Sequence, residues 1–298
     1  MTSDTSQSLS KTTKSILNQH GITLNKNLGQ NYLIDRNKRD QIVNFANLNK
    51  NDTVLEIGTG IGTLTIELAK KANKVIAIEQ DENIYKILAK RLKDEKIDNV
   101  ELINDDALSV DFPKFNKIVS NLPYQISSPI TFKFLEYDFD LAILMYQKEF
   151  AERMNGEVGT KDYSRLSAML YFKCAVETLT DVSAESFIPK PKIDSTVVKL
   201  TPKENKISDA DFKTYSNFTK ALFQHRNKKI KNALIDSRHI IGNIDKKVLK
   251  KRLNEIESDE INEYLSKRVV ALTPEEILKL SKELNPIFSE QIACQNLL

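Results

Sequence analysis

Thr53-Val54-Leu55-Glu56-Ile57-Gly58-Thr59-Gly60-Ile61-Gly62 is the stretch on which the fold turns. Its first five residues read as a strand, and Ile61 to Lys71 reads as an amphipathic helix. Between them, three of the chain's eight glycines fall within five residues. Glycine lets the backbone turn tightly there and lets a ligand approach with no Cβ in the way. The spacing is Gly-x-Gly-x-Gly, not the Gly-x-Gly-x-x-Gly of a dinucleotide fingerprint. Glu56, just ahead of the glycines, would repel a pyrophosphate and suits a cationic ligand such as an amino-acid ammonium. Any strand-to-helix turn can use glycine, so the rest of the chain must decide between a site and a plain connection.

Outward from this stretch, strand and helix signals alternate. Lys74–Glu79, Val100–Ile103, Lys117–Ser120 and Leu141–Tyr146 read as short apolar strands, with helices over Asp81–Leu92 and Pro129–Glu136. Upstream, Asp35 is a good N-cap for a helix through Ile42, Val43 and Ala46. Such alternation predicts an α/β fold, a Rossmann-like, mostly parallel sheet covered on both faces. Past residue 150 the pattern loosens into helices over Lys148–Met154 and Arg165–Phe172. Val176–Thr180 and Thr196–Leu200 alternate as strands and are expected to close the sheet as an antiparallel edge hairpin. From Ser208 onward the signals are helical only. Ser208 caps a helix at Asp209, Phe212, Tyr215, Phe218, Leu222 and Phe223 keep helical spacing, and Thr273-Pro274-Glu275-Glu276 is a capping-box start. The expected organisation is a polar, disordered tail over 1–14, an α/β domain over 15–202, a small all-α domain over 203–284 and a second tail over 285–298.

The 298 residues are 40% hydrophobic and 29% charged, an ordinary globular profile. No apolar run approaches the ~20 residues of a membrane span, and the first residues hold no apolar signal core. Cys174 and Cys294 lie too far apart in sequence to suggest a disulfide framework or zinc knuckle, and the three histidines are scattered. A cytoplasmic protein with no metal and no membrane partner is the expectation. The net charge of +3 hides an asymmetry: Lys220–Arg252 carries eleven Lys/Arg against two Asp/Glu, a net of +9. A polyanionic partner or a solvated helical face would each account for it.

The chemistry gathers at strand ends. Asn121-Leu122-Pro123-Tyr124 follows the strand at Lys117–Ser120. Pro123 fixes its own φ, biases Leu122 toward extended geometry and cannot compete as a donor. The Asn121 side-chain oxygen and the Leu122 carbonyl can then grip an –NH2 group, while Tyr124 offers a π-face to a planar ring. An ordinary strand-to-turn exit has the same composition. Glu79, at the end of the second strand, can accept both hydroxyl protons of a ribose, or stand as a strand-end charge in solvent. Asp106, after the third, can accept from an adenine amine, although Asp/Asn clusters such as Asn104-Asp105-Asp106 also build turns. Together these positions describe an adenosine carrying a charged amino-acid arm, and S-adenosylmethionine fits that description.

Gly29-Gln30-Asn31, the glutamate–glycine turn at 56–62, Glu79-Gln80-Asp81, Asn121–Tyr124, Phe187-Ile188-Pro189-Lys190-Pro191 and Arg226–Leu234 occur in one order with characteristic spacings. In this the chain resembles the KsgA-type ribosomal RNA adenine dimethyltransferases, over roughly residues 20 to 284. The resemblance implies a class I methyltransferase sheet with Gln30, Asn31 and Leu33 at the methionine end of the cofactor and Gly58 and Gly60 beneath it. It implies further that Glu79 holds the ribose, Asp106 the adenine amine, and that Asn121 touches both cofactor and substrate. Phe187 would stack on the target base opposite Tyr124; on its own residues it reads as an apolar anchor for a proline-stiffened loop. The implied activity is N6,N6-dimethylation of two adjacent adenosines in a 3′-terminal hairpin loop of small-subunit rRNA, by a monomer acting on a pre-30S-type particle. Asp105 stands where the family usually has glycine, Tyr32 where Phe is usual and Gln125 where Asn is commoner. Two other readings share part of this pattern: a large-subunit rRNA methyltransferase of the antibiotic-resistance type and a mainly non-catalytic ribosome-assembly factor. A DNA adenine methyltransferase fits less well, since its tetrapeptide begins Asp/Asn-Pro-Pro.

Overall fold

The computed structural model describes residues 8–22, 31–204, 207–242 and 244–295, with side chains through Phe288. These residues divide into two units. The first runs to Ala151 and resumes over Ala175–Pro202; the second holds Glu152–Cys174 and the chain from Lys203 onward.

In the first unit, the helices are α1 (Leu9–Gln19), α2 (Arg36–Phe45), α3 (Thr65–Lys71), α4 (Glu82–Asp94) and α5 (Ser127–Phe134), with α6 (Lys148–Met154) at its end. The strands are β1 (Tyr32–Leu33), β2 (Thr53–Ile57), β3 (Lys74–Ile78), β4 (Val100–Ile103), β5 (Lys117–Asn121), β6 (Leu141–Gln147), β7 (Cys174–Val182), β8 (Phe187–Ile188) and β9 (Ser195–Pro202). Seven of them form one sheet in the order β4-β3-β2-β5-β6-β9-β7. The first five are parallel, and β9 runs antiparallel to β6. Buried on both faces, β2, β3 and β6 are near-continuous apolar runs, as a covered parallel sheet requires. The last strand in the chain thus lies inside, and β7 takes the edge with a largely exposed pattern.

Strand order steps outward from β2 through β3 to β4, then returns to place β5 on the other side of β2. The crossovers that follow β2 and β5 therefore run in opposite directions along the sheet, the strand-order reversal at whose carboxyl ends such sheets bind ligands. A second, two-stranded ladder pairs β1 with β8, setting Leu33 opposite Phe187 and Tyr32 opposite Ile188.

Four expectations need correction, three of them at element ends. Helix α3 starts at Thr65, not Ile61, because Gly60 and Gly62 hold φ of +53° and +88°, outside the helical region. The predicted tail over 1–14 is helical from Leu9: Ser8 caps α1, and Leu17 packs with Tyr32, Ile61, Ile84 and Ile87. The polar composition masked a narrow apolar face of Thr13, Ile16 and Leu17. The predicted tail beyond 284 continues α13 (Pro274–Gln295), whose Ile277, Leu280, Leu284 and Phe288 are buried at helical spacing.

The second unit is helical: α7 (Arg165–Lys173), α8 (Asp209–Phe223), α9 (Ile230–Asp236), α10 (Arg238–Ile241), α11 (Lys246–Asn254), α12 (Asp259–Ser266) and α13. The expected caps are in place. Ser208 Oγ accepts from the Asp211 amide, and the Thr273–Glu276 box closes in both directions at 2.8 and 3.2 Å. Residues 152–174, which the sequence alone puts with the α/β domain, belong here. Tyr215 donates its hydroxyl to the Ala168 carbonyl and Tyr163 to that of Leu272, both buried.

Candidate active site

Loops at the carboxyl ends of β2, β3, β4 and β5 enclose a cavity of about 380 Å³ within the first unit. Gly58 and Gly60 turn the chain out of β2. Gly58 has φ +72°, and a Cβ there would lie 2.8 Å from the Pro123 ring. Its lack of a side chain is thus what lets the glycine turn and the Asn121–Tyr124 segment close on each other. Gly60 lies under Tyr32, whose ring would sit 3.1 Å from an added Cβ.

Glu79 ties two of the rims together. One carboxylate oxygen accepts from the Gly60 amide at 2.9 Å, the other from the Asp81 amide at 3.0 Å. Burial raises its proton affinity, and those two amides oppose the rise. The oxygen facing Gly60 also takes the Thr59 hydroxyl at 3.4 Å, and the one facing Asp81 keeps lone-pair capacity for a further donor. Glu56, at the base of the turn, is 1% exposed, and its Oε2 has no hydrogen-bond partner among the described residues. Burial pushes its carboxyl up to about 8, so the residue is largely neutral at pH 7 until a cation arrives. Asp106 lines the cavity while its Oδ1 accepts from the Leu108 amide at 2.9 Å, holding a turn. Asp105 Oδ1 accepts from the Asp106 amide at 2.7 Å, so the residue standing where glycine is usual takes part in the loop's own bonding.

Across the cavity, Asn121 ends β5 opposite Met145. Its Nδ2 donates to the Asn31 carbonyl at 3.2 Å, which fixes the amide and leaves Oδ1 as the acceptor to be offered. Pro123 keeps φ −59° and ψ 124°. Tyr124 follows, its hydroxyl 2.7 Å from Ser195 Oγ at the head of β9. Burial raises the Tyr124 phenol and the Ser195 contact lowers it.

The cavity therefore brings together Asn31, Leu33, Gly58, Gly60, Glu79, Asp106, Asn121, Leu122 and Tyr124. Gln30 lies outside the described residues. Phe187 is not among the lining side chains: it is 2% exposed, in one apolar cluster with Leu33, Met145 and Val197. That is the anchor position its proline-rich surroundings also suggested. The sequence reading did not single out Ser195, and it named Asn104 only within a turn-forming cluster, whereas Asn104 Nδ2 donates to the Glu79 carbonyl at 2.8 Å. It also passed over Lys133, which donates to the carbonyls of Ala107 and Val110 and lies 4.4 Å over the Phe112 ring. Tyr32 carried a signal, as the departure from Phe beside Asn31, and its buried hydroxyl has no partner among the described residues.

Comparison with known proteins identifies the family. Residues 21–284 match the family model described as ribosomal RNA adenine dimethylase. A probable ribosomal RNA small subunit methyltransferase A of Methanosphaera stadtmanae is 54% identical, covering 90% of this chain and 96% of that one. Its counterpart in Methanothermobacter thermautotrophicus is 47% identical over 92% and 96%. Among solved structures, a dimethyladenosine transferase from Plasmodium falciparum matches with a TM-score of 0.71 at 33% identity, covering 85% of this chain and 97% of that one. The 23S rRNA methyltransferase ErmE matches with a TM-score of 0.59 at 28% identity, over 86% and 100%. With the model covering nearly the whole described chain and relatives matched end to end, this chain belongs to the ribosomal RNA adenine dimethylase family.

Proposed function

We propose that this protein transfers methyl groups from S-adenosylmethionine to N6 of adenosines in small-subunit rRNA, two per base, at two adjacent adenosines of a 3′-terminal hairpin loop. The observation that carries the reading is the opposition, across one cavity, of the Asn121–Tyr124 segment and the Glu56–Gly60 turn. The orphaned Oε2 of Glu56 fits a ligand with a cationic arm, and Glu79 and Asp106 stand where hydroxyls and an amine would need acceptors. S-adenosylmethionine, when bound, supplies an electrophilic methyl on sulfur, so neither a metal nor a covalent enzyme adduct is needed. Asn31 and Leu33 would line its methionine end.

The chain's own residues deal with the nucleophile. Adenine N6 is weakly nucleophilic because its lone pair is delocalised into the ring. Acceptance of the N6–H bonds by Asn121 Oδ1 and the Leu122 carbonyl favours a pyramidal nitrogen and frees that pair. The Tyr124 face holds the ring once the base has left its stack, with Phe187 able to contribute from the opposite side only if its ring comes out of the apolar cluster. Holding N6 in line with the methyl contributes about 7–11 kcal/mol in favourable cases. Methylation makes N6 more acidic, and its proton leaves to solvent with no dedicated base. The helical unit, with its Lys220–Arg252 block, grips the RNA backbone. The protein works as a monomer in the cytoplasm on a pre-30S-type particle; no described helix is long and apolar enough to cross a membrane.

Incubation of small-subunit particles with labelled cofactor, followed by mass spectrometry of the rRNA, tests this. N6,N6-dimethyladenosine is expected at adjacent positions, and Asn121→Ala should slow its formation about 100-fold or more. The likeness to ErmE gives the second reading a footing, though at 28% identity against 54% for the small-subunit relative. Label appearing in large-subunit rRNA would favour it. Full ribosome-assembly activity in Asn121→Ala with no methylation would favour a mainly non-catalytic role.

A further inference from the structure

We propose that Ser195 is a positioning residue for methyl transfer: from the head of β9 it holds the Tyr124 ring in the orientation that the target base must stack on. The inference rests on the reading of Tyr124 as that stacking face. Ser195 is fully buried, and its Oγ lies 2.7 Å from the Tyr124 hydroxyl, 71 residues away in sequence. The hydroxyl stands on the far end of the ring from the backbone. One bond there, added to the hold of Pro123 on the chain before Tyr124, leaves the ring little freedom to swing about its side-chain torsions.

The head of β9 is itself a fixed point. Ser195 pairs with Gln147 of β6 in the sheet, and the preceding carbonyl, of Asp194, accepts from the Lys148 amide at 3.0 Å. Asp194 Oδ1 accepts at 2.8 Å from the Ala184 amide, the first residue of the short turn that leads directly into Phe187. Adjacent residues at one sheet end therefore hold the two segments that carry the aromatic side chains named for the base. A serine in this place does what an alanine of nearly the same size cannot, because only the hydroxyl reaches the phenol.

The test is a double-mutant cycle on the full chain. Ser195→Ala and Tyr124→Phe each remove one side of the bond and keep the ring. Each is expected to lower kcat for adenosine methylation roughly 3- to 10-fold, with KM for S-adenosylmethionine unchanged and the melting temperature little moved. The double variant should be no slower than the slower single variant, since both break the same bond. Multiplying losses, or losses confined to cofactor KM, would overturn the proposal, as would wild-type kcat in Ser195→Ala. Tyr124→Ala separates this from the reading beneath it. If loss of the whole ring leaves methylation intact, the stacking role itself fails; if it abolishes methylation while Ser195→Ala is silent, only the role of Ser195 fails.

Discussion

Glu56 is a carboxyl that the fold makes weak as an acid until a ligand repays the burial. Its folded-state value near 8 stands above the ordinary 4.5. Between those two values the folded chain holds a proton that the unfolded chain has released, so the residue lowers stability progressively as pH rises from about 4.5 to 8. Glu56→Gln removes that loss. The cofactor-free variant should melt several degrees above wild type at pH 8.5, the gap closing toward pH 4.5 in paired thermal scans. Cofactor affinity should move the other way. Wild-type affinity for S-adenosylmethionine should strengthen from pH 6 to 8 as the carboxylate becomes available, and calorimetry on Glu56→Gln should show weaker, pH-flat binding. Opposite signs for stability and affinity from one substitution mark a group built for its ligand rather than for the fold.

At the scale of elements, the site depends on what α5 and β9 do for loops that they do not contain. Lys133 of α5 bonds two carbonyls of the loop after β4, the loop that presents Asp106 and Ala107 to the cavity. Lys133→Met should therefore raise KM for the cofactor about 3- to 10-fold while kcat changes less, measured at saturating RNA. This is also where sequence reading reached its limit. Glu79, Asp106 and Asn121 were legible because each follows an apolar strand, and strand ends can be counted along the chain. Lys133, Asn104 and Ser195 were not, since each works through a partner 23 to 71 residues away whose approach only the folded sheet creates. The α/β alternation and the sheet's edge pair were legible from periodicity. The start of α3 was not, because its glycines adopt helix-breaking angles inside a sequence that keeps helical apolar spacing. For α1, three apolar-face residues amid polar neighbours gave too thin a signal.

For the whole molecule, charge is the feature that sequence and structure read alike. Along α11, Lys246, Lys247 and Lys250 are exposed, while Leu249 and Leu253 are buried. Other cations of the block are spent internally: Arg226 donates to the Thr160 and Lys161 carbonyls, and Lys228 pairs with Asp236. Reversing Lys246, Lys247 and Lys250 to Glu should weaken RNA binding more than about 10-fold at low salt and flatten the salt dependence by roughly two to three units of log–log slope. An unchanged slope in filter-binding titrations would leave the block as a solvated face. The two units are interleaved along the chain. Backbone crosses between them three times, near 151, 174 and 202, so the helical unit is not an appendage at the C-terminus. A single scission after Pro202 would strip Tyr163, Leu166, Met169 and Leu170 of α8 and α13, leaving a greasy, uncovered segment spliced into an otherwise intact sheet. Such a fragment should precipitate, and anyone wanting the catalytic half by itself must also excise 152–174 and bridge the gap.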